Sequence, residues 1–344
     1  MKTFRIGYSP YSLKLKIPFA TSKGDITLRS GFIIKLSDEN GNSGTGDCSP
    51  FPEFGSESLE AAEKKLAQLK SITLSDLQFN SIKDELINLM SFPALKAGLE
   101  QALLELLSYN KHLSLMRIFG LNSSKDIPVN GVIGFLSPSE SSERARVLVD
   151  SGFKTIKIKT GRDNFDVDYS VLNEIRNTVN ENIKIRIDSN GKWDFKSAIK
   201  HLNKLEQLKI EYAEQPVNSL EEYIELKKEI SIPVAADESI RSFNDALEFT
   251  DSDAIDYIII KPMLLGGIFT SLEIIEQAKK SGIKTVVTSS FESAIGRKMD
   301  VLAAALVEND AAHGLSTADF FENDLMNPVD AVKDGNIKLE KDAI

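Results

Sequence analysis

The chain has 344 residues, with 41 Lys plus Arg against 51 Asp plus Glu, a net charge of −10. Its 42% hydrophobic and 27% charged content is that of a folded globular protein and excludes a disordered, collagen-like or membrane-bundle chain. The acidic balance makes nucleic acid and anionic membrane surfaces poor partners, while leaving room for a local basic site for a small anion.

The length predicts two domains, or one large barrel with an appendage. Phe4–Ile6, Ser12–Ile17 and Gly31–Leu36 alternate as strands, and Asp38–Asn42 is a turn. Glu57–Leu69 and Ala94–Leu107 carry apolar residues at helical spacing. Strands followed by helices predict an α+β capping domain over residues 1–125, joined by the C-terminal tail 318–344. From about residue 129 short apolar strands alternate with amphipathic helices. The predicted strands are Asn130–Phe135, Thr155–Lys159, Ile183–Asp188, Glu211–Glu214, Pro233–Ala236, Tyr257–Lys261, Thr285–Ser289 and one near Ala312–Leu315. Eight such strands without a G-x-G-x-x-G turn predict an α/β barrel of the (β/α)7β kind, over residues 126–317, rather than an open dinucleotide-binding sheet.

The chemistry is concentrated at the C-terminal ends of these strands. Lys159, Asp188, Glu214, Asp237, Lys261 and Ser289 are separated by 29, 26, 23, 24 and 28 residues, one β/α unit each time. Each repeat therefore delivers one polar group to the same rim, where barrel active sites form. A lone Asp or Glu after a strand is usually a helix N-cap or first-turn residue, and a Lys-x-Lys pair in a strand usually a solvated face. Barrel strands are covered on both faces, however, so Lys157 and Lys159 on one strand face need anions nearby. Asp188, Glu214 and Asp237 supply them. With one cysteine (Cys48) and three histidines (His112, His201, His313), a disulfide and a His/Cys metal site are both excluded. Three carboxylates favour a hard cation, Mg²⁺, with Mn²⁺ as the alternative. Such a cation would act as a Lewis acid on a substrate carboxylate. A lysine can then remove the adjacent proton, its pKa depressed by desolvation and by a neighbouring ammonium, as Lys157 is to Lys159.

The ordered set Lys157-x-Lys159, Asp188-x-Asn190, Glu214, Asp237 and Lys261 resembles the muconate-lactonising branch of the enolase superfamily, over nearly the whole chain. Within that branch, Gly46–Leu59, Ser289–Gly296 and Gly314–Thr317 resemble the o-succinylbenzoate synthase family. The departures are Asp47 where that family has Glu, Cys48 where it has an aliphatic residue or Ala, and Ser316 where it has Asp. The resemblance implies dehydration of 2-succinyl-6-hydroxy-2,4-cyclohexadiene-1-carboxylate, a menaquinone precursor. It also implies Mg²⁺ held by Asp188, Glu214 and Asp237. Lys159 would take the proton α to the ring carboxylate and return it to the leaving hydroxyl, with Lys261 stabilising the intermediate from the other face.

Around these residues, Asn190, Glu238 and Arg186 are expected to support the rim, Arg186 as a buried ion-pair partner. Ser289-x-x-Glu292 is expected to be a capping box for the helix after the seventh barrel strand, its amides also able to hold the succinyl carboxylate through Ser289 and Ser290. Gly266-Gly267 would give a close backbone approach, and Phe51–Phe54 a loop over the site. Trp193, His313 and Cys48 are expected to be packing residues. The rival readings are a dipeptide epimerase, which in that family carries an Asp-x-Asp near the eighth strand that Gly314–Asp319 lacks, an N-succinylamino acid racemase, and a non-catalytic binding protein. Met1–Arg5 has no apolar signal-peptide core, and runs such as Val301–Val307 are too short to span a bilayer, so a cytoplasmic protein with a small-molecule dicarboxylate substrate is expected.

Overall fold

The computed structural model describes residues 1–21 and 24–344. Three long antiparallel strands, β1 (Lys2–Thr21), β2 (Gly24–Ser37) and β3 (Ser43–Cys48), and the short β4 (Ser71–Leu74), form a sheet of order β3-β2-β1-β4. Phe4–Ile6 and Ser12–Ile17, expected as two strands, are parts of one. Pro10 does not break it, because β4 pairs β1 only over Lys2–Arg5. At Pro10 the strand has β2 on one side, with Phe32 as its partner, so the missing N–H costs no second ladder.

Helices α1 (Leu59–Gln68), α2 (Phe79–Leu86) and α3 (Pro93–Lys111) cover this sheet. The central part of α3 is buried on every side. Its contact with β3 is glycine-made. A Cβ on Gly46 would lie 1.9 Å from the Gly98 carbonyl oxygen, and one on Gly44 2.1 Å from that of Ala102. Backbone therefore meets backbone, and Asp47 and Cys48 at the end of β3 are carried into the interior.

After α4 (Leu115–Ile118) and β5 (Lys125–Pro128), seven parallel strands follow: β6 (Gly131–Ile133), β7 (Thr155–Lys159), β8 (Lys184–Asp188), β9 (Ile210–Glu214), β10 (Val234–Ala236), β11 (Tyr257–Ile260) and β12 (Lys284–Val287). They are hydrogen-bonded in chain order. Helices α5 (Pro138–Asp150), α6 (Phe165–Thr178), α7 (Phe195–Leu205), α8 (Leu220–Glu229), α9 (Phe243–Asp251) and α10 (Ile268–Lys280) connect them, and α11 (Ala294–Leu306) follows β12. The expected eighth strand is a pair of parallel bridges, Val129 to His313 and Thr288 to Gly314, which close the sheet on itself. The result is the barrel that the strand spacing predicted.

The tail adds β13 (Val332–Lys333) and β14 (Asn336–Leu339), and β14 pairs antiparallel with β5. Phe321 bridges Leu15 of β1, and the Ile344 carbonyl accepts from the Met116 amide. The same chain end thus binds both the sheet of the cap and the base of the barrel. No helix among the described residues is long and apolar enough to cross a membrane.

Candidate active site

Strand alternation builds the site. In β7, Ile156 and Ile158 are fully buried against the helices, so Lys157 and Lys159 point to the barrel axis. In β8, Ile185 and Ile187 do the same, turning Arg186 and Asp188 inward. The register then sets Lys159 beside Asp188, Asp188 beside Glu214, and Lys157 beside Arg186. Asp237 follows β10, whose Ala235 pairs with Glu214, and Lys261 follows β11. The lysines of β7 and the lysine after β11 flank the carboxylates of the three strands between them. In a closed ring of eight positions β7 and β11 are four apart, so these lysines stand on opposite walls.

The groups touch. Lys157 Nζ lies 2.8 Å from Glu214 Oε1 and 3.1 Å from Asp188 Oδ2. Lys159 Nζ donates to the same Asp188 oxygen at 2.7 Å and to Asn190 Oδ1 at 2.8 Å. Lys261 is paired with Asp237. Asn190, in the left-handed region at φ 47°, also donates through Nδ2 to Glu238 Oε1 at 2.8 Å. It links the β7 lysine to the β10 loop.

Burial alone would lower Lys157, but the carboxylates of Asp188 and Glu214 outweigh it and hold its pKa well above the ordinary value. Lys261 behaves alike: burial opposes the charge, Asp237 and then Glu238 restore it, and the pKa is raised. Glu214 is pushed up, first by burial and then by the charge of Asp188. The rim thus gathers more carboxyl groups than ammonium groups: Asp188, Glu214, Asp237 and Glu238 against three lysines.

Among the described residues no three acidic or imidazole side chains are gathered as a coordination sphere, because each carboxylate is drawn to a lysine. The donors nonetheless fit a hard cation. All are oxygens, they exceed the local cations, and Glu238 Oε2 is buried without a hydrogen-bond partner.

Other expected residues fall as follows. Arg186 is fully buried, donating to Glu211 Oε2 at 2.6 Å and to the Ala312 carbonyl at 2.7 Å, with its guanidinium 4.7 Å from the Tyr212 ring centroid. It ties the barrel interior one layer below the rim. His313 Nδ1 accepts the Val287 amide at 3.0 Å, and burial, with Arg186 adding to it, drives its pKa down to about 3. It is a neutral closing residue. Trp193 and Cys48 are buried packing groups.

The Ser289–Glu292 capping box does not form. Ser293 caps α11, its side chain accepting from Ile295 N, while the Glu292 carboxylate turns back to the Ser290 amide at 2.9 Å. The amides of Ser293 and Ala294 are taken by Asp47 and Asp324. This helix start therefore does not present the open amides expected for an anion. Ser289 Oγ shares a hydrogen bond with Thr317 Oγ1 at 2.7 Å. The Gly266 carbonyl accepts from Lys96 Nζ at 2.5 Å, and a Cβ on Gly267 would strike the Glu100 carboxylate. The close approach is to the cap helix α3. Phe51 packs under Arg29, whose guanidinium is 4.1 Å from its ring centroid; Phe54 is the residue that reaches the site, 5.8 Å from Lys261 Nζ.

Two features were missed in the sequence. Asp47 is fully buried and accepts from Tyr11 Oη at 2.8 Å, Ser293 N at 2.9 Å and Ser293 Oγ at 2.7 Å, pinning the cap sheet to the loop after β12. Lys96 and Glu100 do the same for the loop after β11, Glu100 accepting the Phe269 amide at 3.1 Å. A Lys and a Glu four apart within the apolar Ala94–Leu107 helix were the available signal.

Residues 140–343 match the family described as enolase C-terminal domain-like, and residues 5–106 match the MenC N-terminal domain. The chain belongs to the enolase superfamily. An o-succinylbenzoate synthase from Thermobifida fusca (strain YX) is 35% identical over 195 residues, 56% of this chain and 59% of that protein. Another o-succinylbenzoate synthase, from Desulfotalea psychrophila, is 28% identical over 98% of this chain and 99% of its own length. The dipeptide epimerase from Enterococcus faecalis V583, in a crystal structure complexed with Mg and the dipeptide L-Leu-L-Tyr, is 26% identical, with a TM-score of 0.88 over 99% of this chain and 97% of that one. Synthase and epimerase relatives are thus comparably close, and the superfamily fold holds end to end.

Proposed function

We propose that this superfamily enzyme is a hydro-lyase that dehydrates 2-succinyl-6-hydroxy-2,4-cyclohexadiene-1-carboxylate to o-succinylbenzoate, a step toward menaquinone. The observation that carries the proton chemistry is the pair of opposed lysine walls, Lys159 on β7 and Lys261 after β11, flanking three buried carboxylates and the half-buried Glu238. The choice among superfamily reactions is supported by the MenC N-terminal match over residues 5–106 and by the absence of an Asp-x-Asp in Gly314–Asp319.

Asp188, Glu214 and Asp237 would hold Mg²⁺, with Glu238 and Asn190 bracing them. The ion supplies Lewis-acid stabilisation of the negative charge that develops on the substrate carboxylate. Lys159 Nζ takes the proton from the carbon bearing the ring carboxylate. The C–H pair becomes the new ring double bond, the C–O bond to the ring hydroxyl breaks, and Lys159 returns the proton to the departing oxygen, releasing water and an aromatic ring. Lys157, held charged by Asp188 and Glu214, stands beside Lys159 on the same strand face. Lys261 stays charged on the opposite face and offsets the developing anion.

Incubation with Mg²⁺ and the cyclohexadiene carboxylate, followed by ultraviolet absorbance, tests the reading: aromatic product should form, and Lys159→Ala should lower the rate about 10²- to 10⁴-fold with the circular dichroism unchanged. No product, together with deuterium exchange into L-Ala-L-Glu or an N-succinylamino acid, would replace the dehydratase with an epimerase or racemase working between the same two lysines.

A further inference from the structure

A narrow cleft of about 20 Å³ opens beside the rim, lined among others by Phe54, Gly55, Asp237, Glu238, Arg241 and Lys261. It has room for about one water molecule and opens to solvent on the side of Arg241. Its cations differ in one respect. Lys261 is paired with Asp237, and the β7 lysines behind it are paired with Asp188 and Glu214. Arg241 has no carboxylate partner among the described residues. Its Nε donates to the Glu238 carbonyl at 3.0 Å, which anchors the stem, and its terminal nitrogens make no hydrogen bond among the described residues. Gly55 of the cap loop faces this stem: a Cβ there would be 3.7 Å from Arg241 Cδ. Arg241 is exposed to solvent, with its stem anchored at the seam between cap loop and barrel and its terminal nitrogens open at the mouth of the cleft.

A dianion needs such a group. The three lysines of the rim are each paired with a carboxylate and are placed at the reacting end of the substrate. We propose that Arg241 binds the second carboxylate of the substrate, the end remote from the reacting carbon, through a bidentate contact, and so selects dicarboxylates over monocarboxylates and over zwitterionic dipeptides. This rests on the reading of the substrate as a dicarboxylate.

The test is calorimetric titration of the full chain in Mg²⁺ with two probes, o-succinylbenzoate and benzoate, for the wild type, Arg241→Gln and Arg241→Lys. Arg241→Gln should weaken o-succinylbenzoate about 10- to 100-fold and benzoate less than about twofold, and Arg241→Lys should fall between, because a point charge replaces the fork. In turnover the loss should appear in KM more than in kcat. Equal weakening of both probes, no weakening of the dianion, or a wild type that binds the two alike would overturn the assignment. A wild type that fails to dehydrate the cyclohexadiene while Arg241→Gln still loses the dianion selectively would sink the proposed reaction and leave Arg241 as the dicarboxylate receptor.

Discussion

Asp47 offers a perturbation whose sign and size follow from its surroundings. It is fully buried and accepts three hydrogen bonds, from Tyr11 and twice from Ser293, with no salt bridge among the described residues. Burial is the dominant effect and pushes its pKa from 3.8 up to about 6, the hydrogen bonds recovering only part of the lost hydration. The folded protein therefore holds this proton more tightly than the unfolded chain. Below pH 3.8 both states are protonated and the group is silent. As the pH rises toward 6 the unfolded chain releases its proton first, so stability falls, and above pH 6 the full penalty of about 3 kcal/mol is present. Asp47→Asn removes that slope. Its Oδ1 can still accept the Ser293 amide, and Tyr11, which can accept as well as donate, can turn to the new amide. The stability of Asp47→Asn relative to wild type should accordingly rise by about 2.4 kcal/mol between pH 4 and pH 7. Urea unfolding of the two proteins at pH 4.5, 5.5 and 7 measures this. Parallel stability curves would refute the reasoning, because a carboxylate with an ordinary pKa in place of Asp47 would leave no difference.

Three further outcomes are expected. Gly46→Ala places a Cβ 1.9 Å from the Gly98 carbonyl oxygen and must force β3 from α3, costing about 3 kcal/mol or more in denaturant midpoints, whereas wild-type stability would show that the seam yields freely. Arg297→Leu strips Asp330 and Asp324 of a guanidinium that meets them at 2.6 and 2.8 Å, leaving Asp330 buried and unpaired; a loss of about 3–5 kcal/mol is expected, and less than about 1 would mean that Asp330 finds another partner. EDTA should abolish turnover and lower the Tm, with Mg²⁺ at a hundredfold excess over its Kd restoring about 2.7 kcal/mol. An unchanged Tm would show the carboxylates to be satisfied by their lysines alone.

The barrel was legible in the sequence because strands β7 to β12 repeat one local rule: apolar residues toward the helices, and a polar residue at or just after the strand end. Lys157 and Lys159, Arg186 and Asp188 obey it within five residues each, and the parallel register converts those local patterns into the contacts of the rim. Where sequence reasoning failed, the deciding contact came from far along the chain. Ser289–Glu292 has the spacing of a capping box, yet Ser293 is the cap, because Asp47, 246 residues away, takes its amide and fixes its side chain. Gly266 looked like a substrate approach, yet its carbonyl is filled by Lys96, 170 residues away. These failures share a location, the seam between cap and barrel. Asp47 grips the loop after β12 and the Lys96–Glu100 pair grips the loop after β11, so the two rim loops next to Lys261 and Ser289 are each held by a buried charged group from residues 44–105. The same seam carries Phe54 and Gly55 to the cleft that holds Arg241. The lysines and carboxylates of the rim are thus set by single strands, while the loops that border them are held by contacts across the seam, which is why the superfamily fold could be read from local patterns and the substrate could not.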